Sequence, residues 1–448
     1  MPDNPNLRSE GDINTTGRRL RFMESVNDKF TLELLERDSN VFLHQSLSTP
    51  CLNVVASCSG ASITLEDGRT LLDFHGNYIH NAGFSHPVIL EAVTRQIKEL
   101  SFCTRRYTNR PAVELAEKLA SLSPTLKRVL FAPGGSEAIS MALKIARIVT
   151  GRHKVISLWD SFHGATLDAV SAGGEATFRQ GIGPLLPGFE HAPPPNPSEC
   201  PFECGRECNK QCAKYIEYML EKEGDVSAVV AETIRSSPFI PPTGYWQIVR
   251  EACTRHGALL ILDEIPHALG RTGKMFTFQH FGIEPDIVVI GKGLGGGITP
   301  FAALLTRDEF NESLKHHSVG HFTHEKSPVA SAAALALFRV IEEEDLLAHV
   351  NRMNKSAIAH LSGLKKKHSV ISDVRILGLM MGIELRDPVS GGKALDLAED
   401  VMYRSMELGL NFKLSMGNII NLTPPMNVTT SQLEQAFGII DRALEESA

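Results

Sequence analysis

Leu262-Asp263-Glu264-Ile265-Pro266-His267 closes one apolar run, 258–263, and Gly291-Lys292-Gly293-Leu294-Gly295-Gly296-Gly297 closes the next, 286–290. Both runs are apolar through their length, as strands covered on both faces are. In parallel sheets ligands gather beyond the carboxyl ends of the strands, so Asp263 and Lys292 point at one site. A lysine amine can condense with an aldehyde to an imine, and a carboxylate can keep a pyridine nitrogen protonated, which makes such a ring an electron sink. Other readings of Lys292 are a solvated lysine in a glycine loop and a nucleotide phosphate loop. Against the second, no Gly-Lys-Ser/Thr ending is present and most of the glycines follow the lysine.

Working outward, further apolar runs stand at 128–132, 154–158 and 226–231, with helical patterns at 136–149 and 215–222. That alternation predicts a mostly parallel sheet wrapped by helices. A strand-rich segment, 52–74, contains the turn Glu66-Asp67-Gly68-Arg69, and 329–344 reads as a helix. The expected division is a polar tail over 1–20, an N-terminal part of a small domain over 21–94, a large domain over 95–328 and a C-terminal small domain over 329–448. The fold class is α/β, with the small domain built from both termini. Within the large domain the stretch 190–212, dense in proline and cysteine, reads as a surface insertion.

The 448 residues carry a net charge of −7, which argues against a duplex-binding protein with its basic face. The N-terminus lacks a signal-peptide core, and the most continuous apolar stretch, 329–338, falls short of the roughly 20 residues that span a bilayer. A cytoplasmic enzyme with no nucleic-acid or membrane partner is expected.

A second anion site is predicted at Pro133-Gly134-Gly135-Ser136-Glu137-Ala138, which follows a strand and opens a helix. Backbone N–H groups and the helix dipole would converge there on a phosphate. The plain alternative is Ser136 capping its own helix with no ligand at all.

Taken together these pieces resemble the class III (ω-amino) aminotransferases, from about Leu65 onward. The resemblance is carried by Asp67-Gly68-Arg69, Leu72-Asp73-Phe74, Gly83-Phe84-Ser85-His86-Pro87, Asp263-Glu264-Ile265, Gly270-Arg271-Thr272-Gly273 and the run from Lys292 to Gly297. It implies the fold type I of pyridoxal 5′-phosphate enzymes, with Lys292 as Schiff-base lysine and proton shuttle and Asp263 beside the pyridinium nitrogen. Gly135 and Ser136 would hold the phosphate, and Phe162 in Ser161-Phe162-His163-Gly164 would stack on the ring. Thr323 in Gly320-His321-Phe322-Thr323 would reach the phosphate of a neighbouring subunit, so a homodimer with shared active sites is implied. His163 and Glu232 read as structural neighbours of the cofactor.

Three departures from the family pattern bear on the reaction. Transaminases of the family bind a substrate carboxylate with an arginine ahead of a Pro-Pro pair; Asn421-Leu422-Thr423-Pro424-Pro425 has an asparagine there. An amide cannot make the charged fork that a guanidinium makes. The family's gating glutamate is missing from Glu232-Thr233-Ile234-Arg235-Ser236-Ser237, and Pro266 replaces a glutamine near the cofactor's phenolic oxygen. Without the arginine and its gate the amino-acceptor half of transamination is lost, and elimination is favoured.

Thr323-His324-Glu325-Lys326-Ser327-Pro328, Asn411-Phe412-Lys413 and Cys200-Pro201-Phe202-Glu203-Cys204 resemble the branch of (R)-1-hydroxy-2-aminoethylphosphonate ammonia-lyases. An ω-amine:keto-acid transaminase and a phospho-lyase on phosphoethanolamine are the alternatives. A dianionic aminophosphonate needs cations; Arg235 and Lys326 lead the candidates, followed by Arg105 with its neighbour Arg106, Lys413 and His267. Cys200, Cys204, Cys208 and Cys212 recur at a spacing of four. Reduced thiols or a local disulfide are expected there rather than a metal, since structural zinc sites usually draw cysteines from two segments.

Overall fold

A computed structural model of the chain describes residues 16–447 except 27, 46 and 205–207. Of the tail expected over 1–20, residues 1–15 lie outside the described residues, and Gly17–Glu24 is already helical. The chain divides into two compact units: the residues up to His86 together with those from Ala348 on, and Pro87–Leu347. The helix Pro328–Glu343, expected with the C-terminal domain, therefore belongs to the larger unit.

The larger unit is built on seven strands, β1 (Leu126–Ala132), β2 (Lys154–Leu158), β3 (Phe189–Ala192), β4 (Val226–Glu232), β5 (Leu259–Asp263), β6 (Ile287–Ile290) and β7 (Ala302–Arg307), in the order β1-β7-β6-β5-β4-β2-β3. The run β6-β5-β4-β2-β3 is parallel, while β7 lies antiparallel to both β1 and β6. Every residue of β4, β5 and β6 is buried. Helix α1 (Gly135–Thr150) presses Ala138, Met141, Ala142 and Ile145 onto Val230, Ile261, Val289 and Leu304. Each fully buried aliphatic side chain of this kind contributes about 1.5–3 kcal/mol, so the central strands are firmly held and their ends are fixed points. α1 stops at Gly151, whose φ of 66° ends the helix in the left-handed region.

Two strands of this sheet escaped the sequence reading. β7 begins Ala302-Ala303 and follows a glycine loop, and the edge strand β3 is only Phe-Glu-His-Ala. Neither has the β-branched run that marks a buried strand.

The smaller unit holds two four-stranded sheets. In one, the antiparallel strands Val55–Ser59, Ser62–Leu65 and Thr70–Asp73 are joined by Leu410–Asn411, which pairs parallel to Thr70–Asp73. Chain from both termini thus shares a single sheet. The other sheet is antiparallel and includes Lys413–Ser415 beside Ile419–Leu422, with Lys413 opposite Asn421. Among the described residues no helix is long and apolar enough to cross a membrane.

Candidate active site

The register of the parallel strands aligns the acidic residues at their carboxyl ends. Glu232 pairs with Asp263 across β4 and β5, and Asp263 pairs with Val289 across β5 and β6. Lys292 follows two residues after the end of β6. Its φ of 45° is one that a side-chain-bearing residue rarely adopts, and such backbone clusters at functional positions.

Asp263 is buried but well supplied with donors. Oδ1 accepts the backbone N–H of Ile265 at 3.1 Å, and Oδ2 accepts Nδ1–H of the buried His163 at 2.8 Å. A carboxylate can only accept, so this contact sets which ring nitrogen of His163 carries hydrogen. A buried acid held by two donors in a fixed orientation suits pairing with a ring N–H.

The anion cradle differs in detail from its expectation. Gly134, not Ser136, caps α1, and it does so without a side chain. The first-turn N–H groups of a helix lack intrahelical partners and favour an anion. Ser136 lies inside that turn, and its Oγ accepts the N–H of Ala165 at 3.0 Å, tying the helix to the loop that carries Phe162 and His163. The loop passes so close that a Cβ on Gly164 would come within 2.3 Å of Ser136 Oγ, and its φ of 130° is open only to glycine. Phe162 is half-buried and packs against Phe178 with ring centroids 4.6 Å apart.

Several other candidates are placed where the sequence could not foresee. Arg235 lies 3.0 Å from Glu175 and 3.0 Å from Glu232. The guanidinium that the sequence offered to an incoming anion is thus shared by two carboxylates in this structure. His267 is completely buried, with Nδ1 3.0 Å from Thr277 Oγ1, and burial pushes its pKa down to about 3. A histidine with that value is neutral at ordinary pH. Glu264 is also fully buried; burial pushes it up to about 7 although Thr233 Oγ1 and the N–H groups of Thr277 and Phe278 donate to it. Glu175 carried no sequence signal beyond residue type, and Glu264 only its place in the Asp263-Glu264-Ile265 run.

Thr323 and Lys326 are exposed, and Asn109 Nδ2 donates to the Lys326 carbonyl at 3.0 Å. Arg105 is exposed nearby, donating to the Gly320 carbonyl at 3.2 Å and pairing with Glu325 at 3.3 Å. In the smaller unit Asn421 is buried, and its Nδ2 donates to the Tyr78 hydroxyl at 2.9 Å and to Ser415 Oγ at 3.3 Å. Lys413 stands across the strand pair from it, half-buried. Pro266 offers no N–H.

The family model for class III aminotransferases matches residues 44–444. The chain belongs to that family. It is 46% identical to an (R)-1-hydroxy-2-aminoethylphosphonate ammonia-lyase of Vibrio splendidus, over 98% of this chain and 95% of the relative. It is 34% identical to a leucine/methionine racemase of Thermococcus litoralis, over 92% and 95% of the two chains. Among solved structures, an ω-transaminase from Pseudomonas jessenii in complex with PMP superposes with a TM-score of 0.86 at 27% identity, covering 92% of this chain and 98% of that one.

Membership settles the fold as type I and the cofactor as pyridoxal 5′-phosphate. The geometry fits that group: an N-terminal helix cradle for a phosphate, a donor-held buried acid at the end of β5, and a lysine just past the end of β6.

Proposed function

We propose that this chain is an ammonia-lyase acting on (R)-1-hydroxy-2-aminoethylphosphonate, with phosphonoacetaldehyde as the other product. One observation carries the reading. Where the family's transaminases present an arginine to a carboxylate, Asn421 is buried and engaged with Tyr78 and Ser415. A neutral amide so held offers a keto-acid acceptor no charged partner. The similarity to the Vibrio splendidus lyase supports the same conclusion independently.

When bound, pyridoxal 5′-phosphate would supply an electron sink for the carbon that bears the amine. The Nζ of Lys292 removes the proton from that carbon. The hydroxyl on the adjacent carbon then leaves as water, taking a proton from the Lys292 ammonium, so the lysine finishes as it began. Hydrolysis of the released unsaturated amine returns one water and yields aldehyde and ammonia; the net change is loss of ammonia alone. Asp263 is the partner for the ring nitrogen, and His163 is its positioning residue. Gly135 and Ser136 would hold the phosphate, and Phe162 would stack on the ring.

For the phosphonate we assign Lys326, Arg105 and Lys413 as the cations to examine first. Arg235 is set aside for its two carboxylates, and His267 for its neutrality. Thr323 and its basic neighbours would complete the site of a second subunit, which makes the working form a homodimer.

Phosphorus NMR of the reaction tests the proposal. The (R) substrate, incubated without any keto acid, is expected to convert to phosphonoacetaldehyde with equimolar ammonia and no inorganic phosphate. Release of phosphate from phosphoethanolamine instead would move the protein to the phospho-lyases and overturn the assignment.

A further inference from the structure

The insertion 190–212 is used by none of the chemistry above, yet it holds half of the chain's eight cysteines. Cys200, Cys204, Cys208 and Cys212 all line one cavity of about 80 Å³, with prolines 194, 195, 197 and 242 among its other walls. Of the described residues around it, the one polar side chain besides the thiols is Asn196. A spacing of four would put the four on one helical face only if the segment were helical. In the structure only Cys212 is helical, near the start of α2 (Gln211–Glu223), and Cys200 follows the short turn Pro197–Glu199. The chain wraps its sulfurs around a space instead of lining them up.

The surroundings of these sulfurs suit thiolates gathered on a cation. Four thiols facing a proline-walled space repel one another once ionised, and a divalent cation removes that penalty by taking the thiolates as ligands.

We propose that Cys200, Cys204, Cys208 and Cys212 form a four-thiolate structural zinc site that pins the insertion to the large unit. A closed tetrahedral set of sulfurs is what a structural zinc ion takes, at about 2.3 Å each. The step is not redox: four S–H protons pass to solvent as Zn²⁺ enters. Among the described residues no three ligand groups stand gathered at metal-holding geometry, and Cys204 Sγ points to Asn209 Oδ1 at 3.1 Å. Binding therefore draws Cys204 away from Asn209 and closes the sulfurs inward, as metal and local folding are commonly coupled. Pro194, Pro195 and Asn196 also wall the neighbouring cavity lined by Glu232 and Arg235. The ion would hold still the wall behind that ion pair.

Purified holoenzyme, prepared without chelator or metal-affinity resin, is analysed for zinc, iron and acid-labile sulfide, and its cysteines are mapped by mass spectrometry. The expected result is about one zinc per chain, released by a mercurial. Should the protein be isolated metal-free, equimolar Co²⁺ is expected to produce thiolate charge-transfer bands. Cys200→Ser with Cys204→Ser should abolish either signal while the visible absorbance of bound cofactor persists, which shows the fold intact; the buried Cys212 is avoided for that reason. Iron with sulfide, a disulfide among these four cysteines, zinc retained by the double variant, or no binding of either ion would each overturn the proposal. None of these readouts depends on which substrate the active site takes.

Discussion

Two buried polar pairs, His163 with Asp263 in the larger unit and Asn421 with Tyr78 in the smaller, have almost the same geometry and opposite meanings. Their hydrogen bonds measure 2.8 and 2.9 Å. The first holds a carboxylate at the end of a central strand, where its orientation can be used by a ring nitrogen. The second is an amide and a phenol engaged with each other, at a position where relatives that transaminate need a full positive charge. On the proposed function the electron-sink half of the family's chemistry is kept, and the carboxylate-binding half gives way to neutral packing. Reaction type can change on this scaffold without any change in the strands that carry the cofactor.

The largest effect tests the retained half. Lys292→Ala should lower ammonia release by about a thousandfold or more, since it removes both the proton acceptor and the covalent anchor. Single-turnover assays with externally supplied methylamine would show partial return if the loss is one of proton transfer. A variant that retained normal turnover would break the comparison at once.

Asn421→Arg addresses the replaced half. A guanidinium among Tyr78, Ser415 and the surrounding strands would be a buried charge without a counter-ion, expected to destabilise the protein by about 3–5 kcal/mol. Urea unfolding reads this directly. A variant as stable as its parent would show that the pocket accommodates a guanidinium, and the neutral pair would lose its significance.

His163→Phe separates orientation from charge. Asp263 keeps the Ile265 N–H but loses its second donor, and a change worth about one pKa unit corresponds to roughly tenfold in rate. The pH dependence of the cofactor's visible absorbance should shift along with the rate; a rate loss with an unmoved spectral profile would mean that His163 merely fills space.

The smallest effect comes from His267, which tests burial at the strand ends. Its folded pKa is near 3, against an ordinary 6.5. The folded state stays neutral where the unfolded chain takes a proton, so this contribution to stability is intact above pH 6.5 and is lost as the pH falls toward 3. The slope is at most about 1.4 kcal/mol per pH unit. His267→Gln should flatten the stability–pH curve by up to one proton between pH 6.5 and 4. Parallel curves would mean that His267 titrates normally.

Much of the cofactor half was legible in the sequence because each apolar run ends on a residue whose chemistry is out of place in a core. Asp263 and Lys292 are such residues, and the run from Pro133 to Ala138 announces a strand turning into a helix. Contacts made across the fold were not legible. Nothing in the chain order links His163 to Asp263, 100 residues away, or shows that Arg235 will be taken up by Glu175. His267 looked like a cation because sequence gives residue type and not burial, and burial decides its protonation. The even spacing of Cys200, Cys204, Cys208 and Cys212 was visible in the same way, but that all four line one cavity is a contact the chain order does not show.

The central claim is that turnover here needs no amino acceptor. Ammonia release from (R)-1-hydroxy-2-aminoethylphosphonate, followed over many turnovers with every keto acid removed and again with 2-oxoglutarate added, tests it most directly. Equal, sustained rates in both conditions are predicted. Product that stops at one equivalent per active site until 2-oxoglutarate is supplied would contradict the account and return the protein to the transaminases.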